Sequence, residues 1–159
     1  MHSVLVIDDN AELRTVVAAT LTNAGYTVLQ AGNGRDGILT VLAQRPDLIL
    51  CDVRMPEMDG YRTLAAIRKF RDTAAIPFIL MTGSMGRDEF RHAMVCGADD
   101  YLMKPFRTSE LIAAIESRLT RQTHMQSEAY QHIERLREFA LPRFTPDRVL
   151  TGTSVATAA

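Results

Sequence analysis

Three acids, a hydroxyl and an ammonium each close a short apolar run in this sequence. Asp8 and Asp9 follow 4–7, Asp52 follows 48–51, Thr82 follows 78–81, and Lys104 follows 101–103. A polar residue where a chain emerges into solvent is ordinary, and that explains one or two of these positions. Gathered at one edge, however, the five form a chemical set. Two carboxylates about 4.5 Å apart repel by roughly 3–4 kcal/mol at an effective dielectric near 20, so three together call for a cation. A hard divalent ion meets that need, and Mg²⁺ typically accepts one or two carboxylates while keeping several waters. Such an ion, helped by an ammonium such as Lys104, neutralises the oxygens of an incoming phosphoryl group. A carboxylate can also serve as nucleophile and form an aspartyl-phosphate, with Asp52 the central acid. The chemistry implied is metal-assisted handling of a phosphoryl group or another anion.

The elements needed to bring these residues together are legible. Aliphatic runs at 4–7, 27–29, 48–51, 78–81 and 101–103 alternate with segments of helical period. Leu13, Val16, Val17 and Leu21 mark the first helix, with Gly25 placed for a left-handed cap. Ile38, Leu39, Val41 and Leu42 mark the second, which Pro46 stops, and Tyr61, Leu64, Ala65 and Ile67 the third. A fourth is expected from about Asp88 to Cys96, and a last one from an N-cap at Thr108 or Ser109. Continuously aliphatic strands are covered on both faces, so the fold class expected is α/β: a doubly wound, five-stranded parallel sheet, flavodoxin-like, in strand order 2-1-3-4-5. In such sheets ligands collect at the carboxyl ends of the strands.

At this point the motifs become specific. Asp8-Asp9, Asp52 within 52–60, Thr82 in 81–84 and Lys104-Pro105-Phe106 together resemble the receiver domain of bacterial two-component response regulators, of the chemotaxis-regulator kind, over roughly residues 2–121. The resemblance implies that Asp52 is the phosphoacceptor, taking its phosphoryl group from a sensor histidine kinase or a phosphotransfer protein. It implies Mg²⁺ held by Asp9, Asp52 and the backbone carbonyl of Arg54, with Asp8 acting directly or through water. Lys104 would contact the phosphoryl oxygens. Thr82 would donate its hydroxyl to the phosphoryl group, and Tyr101 would be the switch aromatic that turns inward with it. The Lys104–Pro105 peptide bond is commonly cis in this family. Tyr101 by itself reads as an amphipathic surface tyrosine, and Met81, Met85 and Met103 read as gap-fillers, not ligands. Met55-Pro56 and Asp59-Gly60 read as a turn into the third helix.

Composition bounds the remaining possibilities. The chain has 159 residues, with Lys+Arg 18 against Asp+Glu 19, and therefore no global basic field to draw nucleic acid or an anionic membrane. No run approaches the roughly 20 apolar residues of a membrane span, and no secretory signal is visible, so a cytoplasmic location is expected. Cys51 and Cys96 read as two reduced, buried thiols, and His2, His92, His124 and His132 share no ligand spacing.

The domains expected are a receiver over 1–121, a helical extension over 122–141 and a disordered tail over 142–159. Ile112, Ile115, Leu119, Gln122, Gln126, Ala129, Ile133, Leu136 and Ala140 recur at steps of three and four, so the extension is expected to pair as a coiled coil with a second chain. Residues 134–150 faintly resemble the phosphoacceptor-histidine region of receiver-fused histidine kinases, with Arg143 in place of the histidine. The function expected is a receiver that catalyses only its own phosphorylation and dephosphorylation. It would signal to a downstream protein by a conformational switch, with no DNA-binding output, no nucleic acid partner and no membrane partner. The alternatives are a Mg²⁺-dependent aspartyl-phosphate phosphatase or phosphotransferase, and a dimeric pseudo-receiver scaffold.

Overall fold

The computed structural model describes residues 1–83, 86, 91–92 and 94–140. Ser84, Met85, residues 88–90 and 93 of the helix expected over 88–96, Arg143 and the tail over 142–159 lie outside these residues. The elements are β1 (Ser3–Ile7), α1 (Ala11–Asn23), β2 (Thr27–Ala31), α2 (Gly34–Gln44), β3 (Leu48–Asp52), α3 (Gly60–Lys69), β4 (Phe78–Thr82), β5 (Asp100–Met103) and a C-terminal helix (Thr108–Ala140). Arg91, His92, Met94 and Val95 are also helical.

All strand pairs are parallel, in the order β2-β1-β3-β4-β5. The doubly wound α/β architecture expected from the aliphatic runs is therefore the one that forms. Its cause is visible in the pleat, because successive side chains of a strand point to opposite faces. Leu5, Ile7, Ile49, Cys51, Phe78 and Leu80 join Val41 of α2 and Leu64 and Ile67 of α3 in one core layer. Val4, Val6, Leu48, Leu50, Ile79 and Met81 join Val17 and Leu21 of α1, and Leu111, Ile115 and Leu119 of the C-terminal helix, in the other. With both faces covered, β1, β3 and β4 carry no alternating polar positions.

Side-chain caps fix where three helices begin. Asn10, Asn33 and Asp59 accept hydrogen bonds from the backbone N–H groups of Leu13, Asp36 and Arg62. Gly25, at φ 92°, ends α1 as its position suggested. Arg45 ends α2 in the left-handed region, one residue before Pro46. The C-terminal helix starts at Thr108, where it was expected, but its cap differs. Thr108 and Ser109 both lie inside it, and the Arg107 N–H donates to the Glu110 carboxylate at 2.8 Å. A carboxylate reaching back from the first turn satisfies the open end in place of a hydroxyl cap. On the buried face Leu111 leads Ile115 and Leu119, and Ile112 is only partly covered. Cys51 is buried, whereas Cys96 is half-buried and not fully enclosed as expected; both are free thiols.

The chain forms two compact units, Met1–His124 and Met125–Ala159. The described part of the second is helical throughout and exposed along almost its whole length. Among the described residues no helix is long and apolar enough to cross a membrane.

Candidate functional site

The carboxyl edge of the sheet brings together the acids and the ammonium that the sequence singled out. The register places Ile7 beside Cys51 and Asp52 beside Met81, so the ends of β1, β3 and β4 are level. Asp8 leaves β1, Asp52 ends β3, and one carboxylate oxygen from each of Asp8, Asp9 and Asp52 lies within 4.8 Å of the others. Asp8 and Asp52 are buried, and Asp9 is exposed at the rim.

Lys104 follows β5 and reaches across the edge. Its Nζ donates to Asp8 Oδ2 at 2.8 Å and to Asp52 Oδ1 at 2.7 Å. Its backbone N–H donates to the Thr82 carbonyl at 2.7 Å, tying the ends of β4 and β5 together. The Lys104–Pro105 peptide bond is cis. Burial, reinforced by the carboxylates of Asp8 and Asp9, holds the Asp52 carboxyl above its ordinary range, although Lys104 pulls the other way. For Lys104, burial favours loss of the proton, but hydrogen bonds to Asp52 and Asp8 outweigh it and raise the ammonium above its usual value. Two of the three carboxylates thus bind the Lys104 ammonium, and the three acids outnumber it.

Thr82 is buried at the end of β4. Tyr101 pairs in register with Leu80, and Leu80 is two residues before Thr82, so both polar side chains belong to the same face of the sheet. The Tyr101 ring packs on the core layer of that face. Its hydroxyl is pushed up to about 12, by burial first and then by Tyr61 and Cys96. Tyr101 is therefore a packed residue and not a free surface tyrosine. Arg54 is exposed in the loop that leaves Asp52. In the same loop Met55 is buried, Glu57 adopts φ 64°, and Asp59 caps α3.

Two supports of the site were not legible as functional residues. The Asn10 N–H donates to Asp8 Oδ1 at 2.9 Å, and Arg14 Nη1 donates to the Asp8 carbonyl at 2.6 Å. Their spacing of four places them on one face of the start of α1, which was the available signal. Gly60 is the third support. A Cβ there would collide with the Asp52 carbonyl oxygen and sit 2.9 Å from Leu80. Gly60→Ala is expected to lower stability by about 1–3 kcal/mol in urea unfolding, because a backbone atom cannot give way as a flexible side chain does.

An apolar hollow of about 380 Å³ opens beside the acids, lined by Leu13, Lys104, Pro105 and Phe106.

Comparison with known proteins agrees with this geometry. The family model for the response regulator receiver domain matches residues 4–116. The DNA-binding dual master transcriptional regulator RpaA of Synechocystis is 34% identical over 148 residues, which are 93% of this chain and 61% of RpaA. The phosphate regulon transcriptional regulatory protein PhoB of Pseudomonas aeruginosa is 34% identical over 127 residues, 80% of this chain and 56% of PhoB. Among solved structures, the chemotaxis protein CheY4 of Vibrio cholerae gives a TM-score of 0.71 at 31% identity, covering 74% of this chain and 98% of that one. The receiver domain of the sensor histidine kinase PA1611 of Pseudomonas aeruginosa, solved with a magnesium ion in its active-site cleft, gives 0.70 at 30% identity, covering 75% and 98%. The chain spans about half to three-fifths of the length of the curated relatives it matches.

These relatives overturn the expectation of a receiver that signals without a DNA-binding output. RpaA is a DNA-binding regulator and PhoB a transcriptional regulatory protein, each longer than the matched region. The expectation that nucleic acid plays no part rested on the even charge balance, and these relatives leave it without support. A near-neutral receiver says nothing about the charge of an output domain.

Proposed function

Because the chain belongs to the response regulator receiver family, we propose that it is the phosphorylatable regulatory part of a transcription-controlling response regulator, with Asp52 as phosphoacceptor. The observation that carries the reading is the partly buried Asp8–Lys104–Asp52 bridge, flanked by Asp9 at the rim.

The donor is the phosphohistidine of a sensor histidine kinase or phosphotransfer protein. An Asp52 carboxylate oxygen attacks phosphorus as the P–N bond breaks, and the imidazole leaves with the bond's electron pair and takes a proton. The raised ammonium of Lys104 stays charged to meet the phosphoryl oxygens. Asp8, Asp9 and Asp52, with the Arg54 carbonyl, would hold Mg²⁺, and the excess of carboxylates over ammonium fits a hard divalent cation. When bound, that ion supplies neutralisation of the phosphoryl oxygens. Thr82 donates its hydroxyl to the new phosphoryl group, and Tyr101, on the same face of the sheet, follows it. The face around β5 thereby passes between two arrangements, and phosphorylation favours one of them. The protein catalyses only reactions of its own phosphoryl group.

The hollow beside Lys104 gives the donor protein a seat, with Leu13 and Phe106 as its apolar wall. Phe106→Arg is expected to slow transfer from a histidine-phosphorylated donor protein by roughly tenfold or more, since a charge in an apolar contact costs over 1.4 kcal/mol. Phosphorylation by acetyl phosphate, which needs no protein contact, stays within about twofold of the parent rate by the same arithmetic. Equal slowing with both donors would show that the hollow serves the chemistry and not docking. Failure of both donors to phosphorylate the unaltered chain would remove the phosphoacceptor reading itself.

A further inference from the structure

The helix from Met125 to Ala140 carries large apolar side chains in the open: Met125 is 63% exposed, Tyr130 66%, Ile133 51%, Leu136 54% and Phe139 92%. At 100° per residue, Met125, Ala129, Ile133, Leu136 and Ala140 fall within a sector of about 80°, a single stripe along the helix. A stripe of this kind leaves an isolated helix marginal in water, so it must be covered.

We infer that the stripe is covered by the same stripe of a second copy of this chain, in a parallel two-stranded coiled coil over residues 126–140. This inference stands apart from the phosphoacceptor reading. Its first ground is the period. Residues 126, 129, 133, 136 and 140 advance by three and four in alternation, a mean of about 3.5, which is the seam of a left-handed supercoil.

The second ground is self-complementarity. With 126, 133 and 140 as the first seam positions of their heptads, Met125 and Tyr130 are flanking positions of opposite kind. In a parallel, in-register pair, Met125 of one chain lies across from Tyr130 of the partner subunit. The two large apolar groups beside Gln126 thus cover each other. Gln126 meets its own copy at the axis, and a carboxamide has both the donor and the acceptor that such a meeting needs. An antiparallel pair in the register that sets Gln126 against Leu136 of the partner subunit leaves buried amide groups unsatisfied, a cost of roughly 1–3 kcal/mol.

The third ground is charge. Residues 125–140 hold two arginines, Arg135 and Arg137, against three glutamates, Glu128, Glu134 and Glu138. A helix that lies on anionic lipid or follows a phosphate backbone has a basic polar face, which this one lacks. Arg137 is paired with Glu134 of its own helix at 3.2 Å, so its charge is already met where it passes His132 of the partner subunit. Fifteen residues in such a pair bury on the order of 1,000 Å² in total, the size of a reversible contact, so association is expected at micromolar concentrations.

The test uses the full chain. Sedimentation across micromolar concentrations should show a reversible monomer–dimer equilibrium, and Ile133→Glu with Leu136→Glu should leave a monomer whose receiver melts as the parent does. In a Cys96→Ser background, Gln126→Cys should form an interchain disulfide under mild oxidation, and Glu128→Cys on the outer face should not. A parent that stays monomeric throughout would overturn the inference. So would a dimer that survives the double substitution, or cross-linking that is equal at 126 and 128.

Discussion

Lys104→Met is expected to slow phosphorylation by acetyl phosphate by roughly 10²–10³-fold, the range for losing one preorganised charged donor at a developing negative charge. The same substitution bears on stability. Lys104 spans Asp8 and Asp52 with hydrogen bonds of 2.8 and 2.7 Å, and methionine keeps the length of the side chain without the charge. Removing one partner of a buried pair leaves its carboxylates uncompensated, a cost of about 3–5 kcal/mol when the site is sealed. Lys104 keeps 21% of its side chain exposed, so solvent screening reduces that to about 1–3 kcal/mol. Urea unfolding at neutral pH without metal measures the effect, and added Mg²⁺ should recover part of the loss by occupying the same acids. A Lys104→Met protein as stable and as reactive as the parent would mean that the bridge is incidental.

Asp52→Asn is expected to act in the opposite sense on stability while abolishing acceptance of the phosphoryl group. Burial and the neighbouring carboxylates raise the folded-state Asp52 pKa above its unfolded value. Between those two values the folded protein holds a proton that the unfolded chain has lost. Stability therefore falls as pH rises through that window and stays lowered at neutrality. Asparagine keeps the shape without the charge, and the gain at neutral pH is roughly 0.5–2 kcal/mol, the usual scale for relieving a site strained for function. The advantage of Asp52→Asn should shrink as pH drops below the raised pKa, where parental Asp52 is already protonated. Lys104 supplies the other limb. Its folded pKa is raised, so its stabilisation is complete below the unfolded value and is lost as pH climbs through the folded one. Paired melting curves across pH, with and without Mg²⁺, check both signs. An Asp52→Asn protein less stable than the parent at neutral pH would show that the ionised carboxylate is held by more than it repels.

Much of this arrangement was legible because burial and chemistry separate cleanly along the strands. Leu5, Val6, Ile49, Leu50, Ile79 and Leu80 are fully buried, and only a sheet covered on both faces tolerates such runs. The polar residue that ends each run then falls at the carboxyl edge. What stayed hidden depends on contacts between distant segments or on backbone geometry. Arg14 serves the site through a backbone carbonyl, which no residue type announces. Arg68 braces the carbonyls of Ala74, Ile76 and Gly97 as well as Asp99, yet in sequence it is one more basic residue at the end of a helix. The cap of the C-terminal helix was misassigned because Thr108 and Ser109 are good caps, whereas Glu110 satisfies the end from within. The output was misjudged for a different reason. A receiver's residues encode how it is phosphorylated, and the matched region covers only 61% of RpaA and 56% of PhoB.

The most direct test is to expose the full chain to acetyl phosphate with Mg²⁺ and to locate the added mass by peptide-level mass spectrometry after trapping the acyl phosphate as a stable derivative. One phosphoryl group on the peptide bearing Asp52, absent in Asp52→Asn and absent when the metal is chelated, is the expected result. Modification that persists in Asp52→Asn, or an unmodified parent chain with metal and donor both present, would contradict the account.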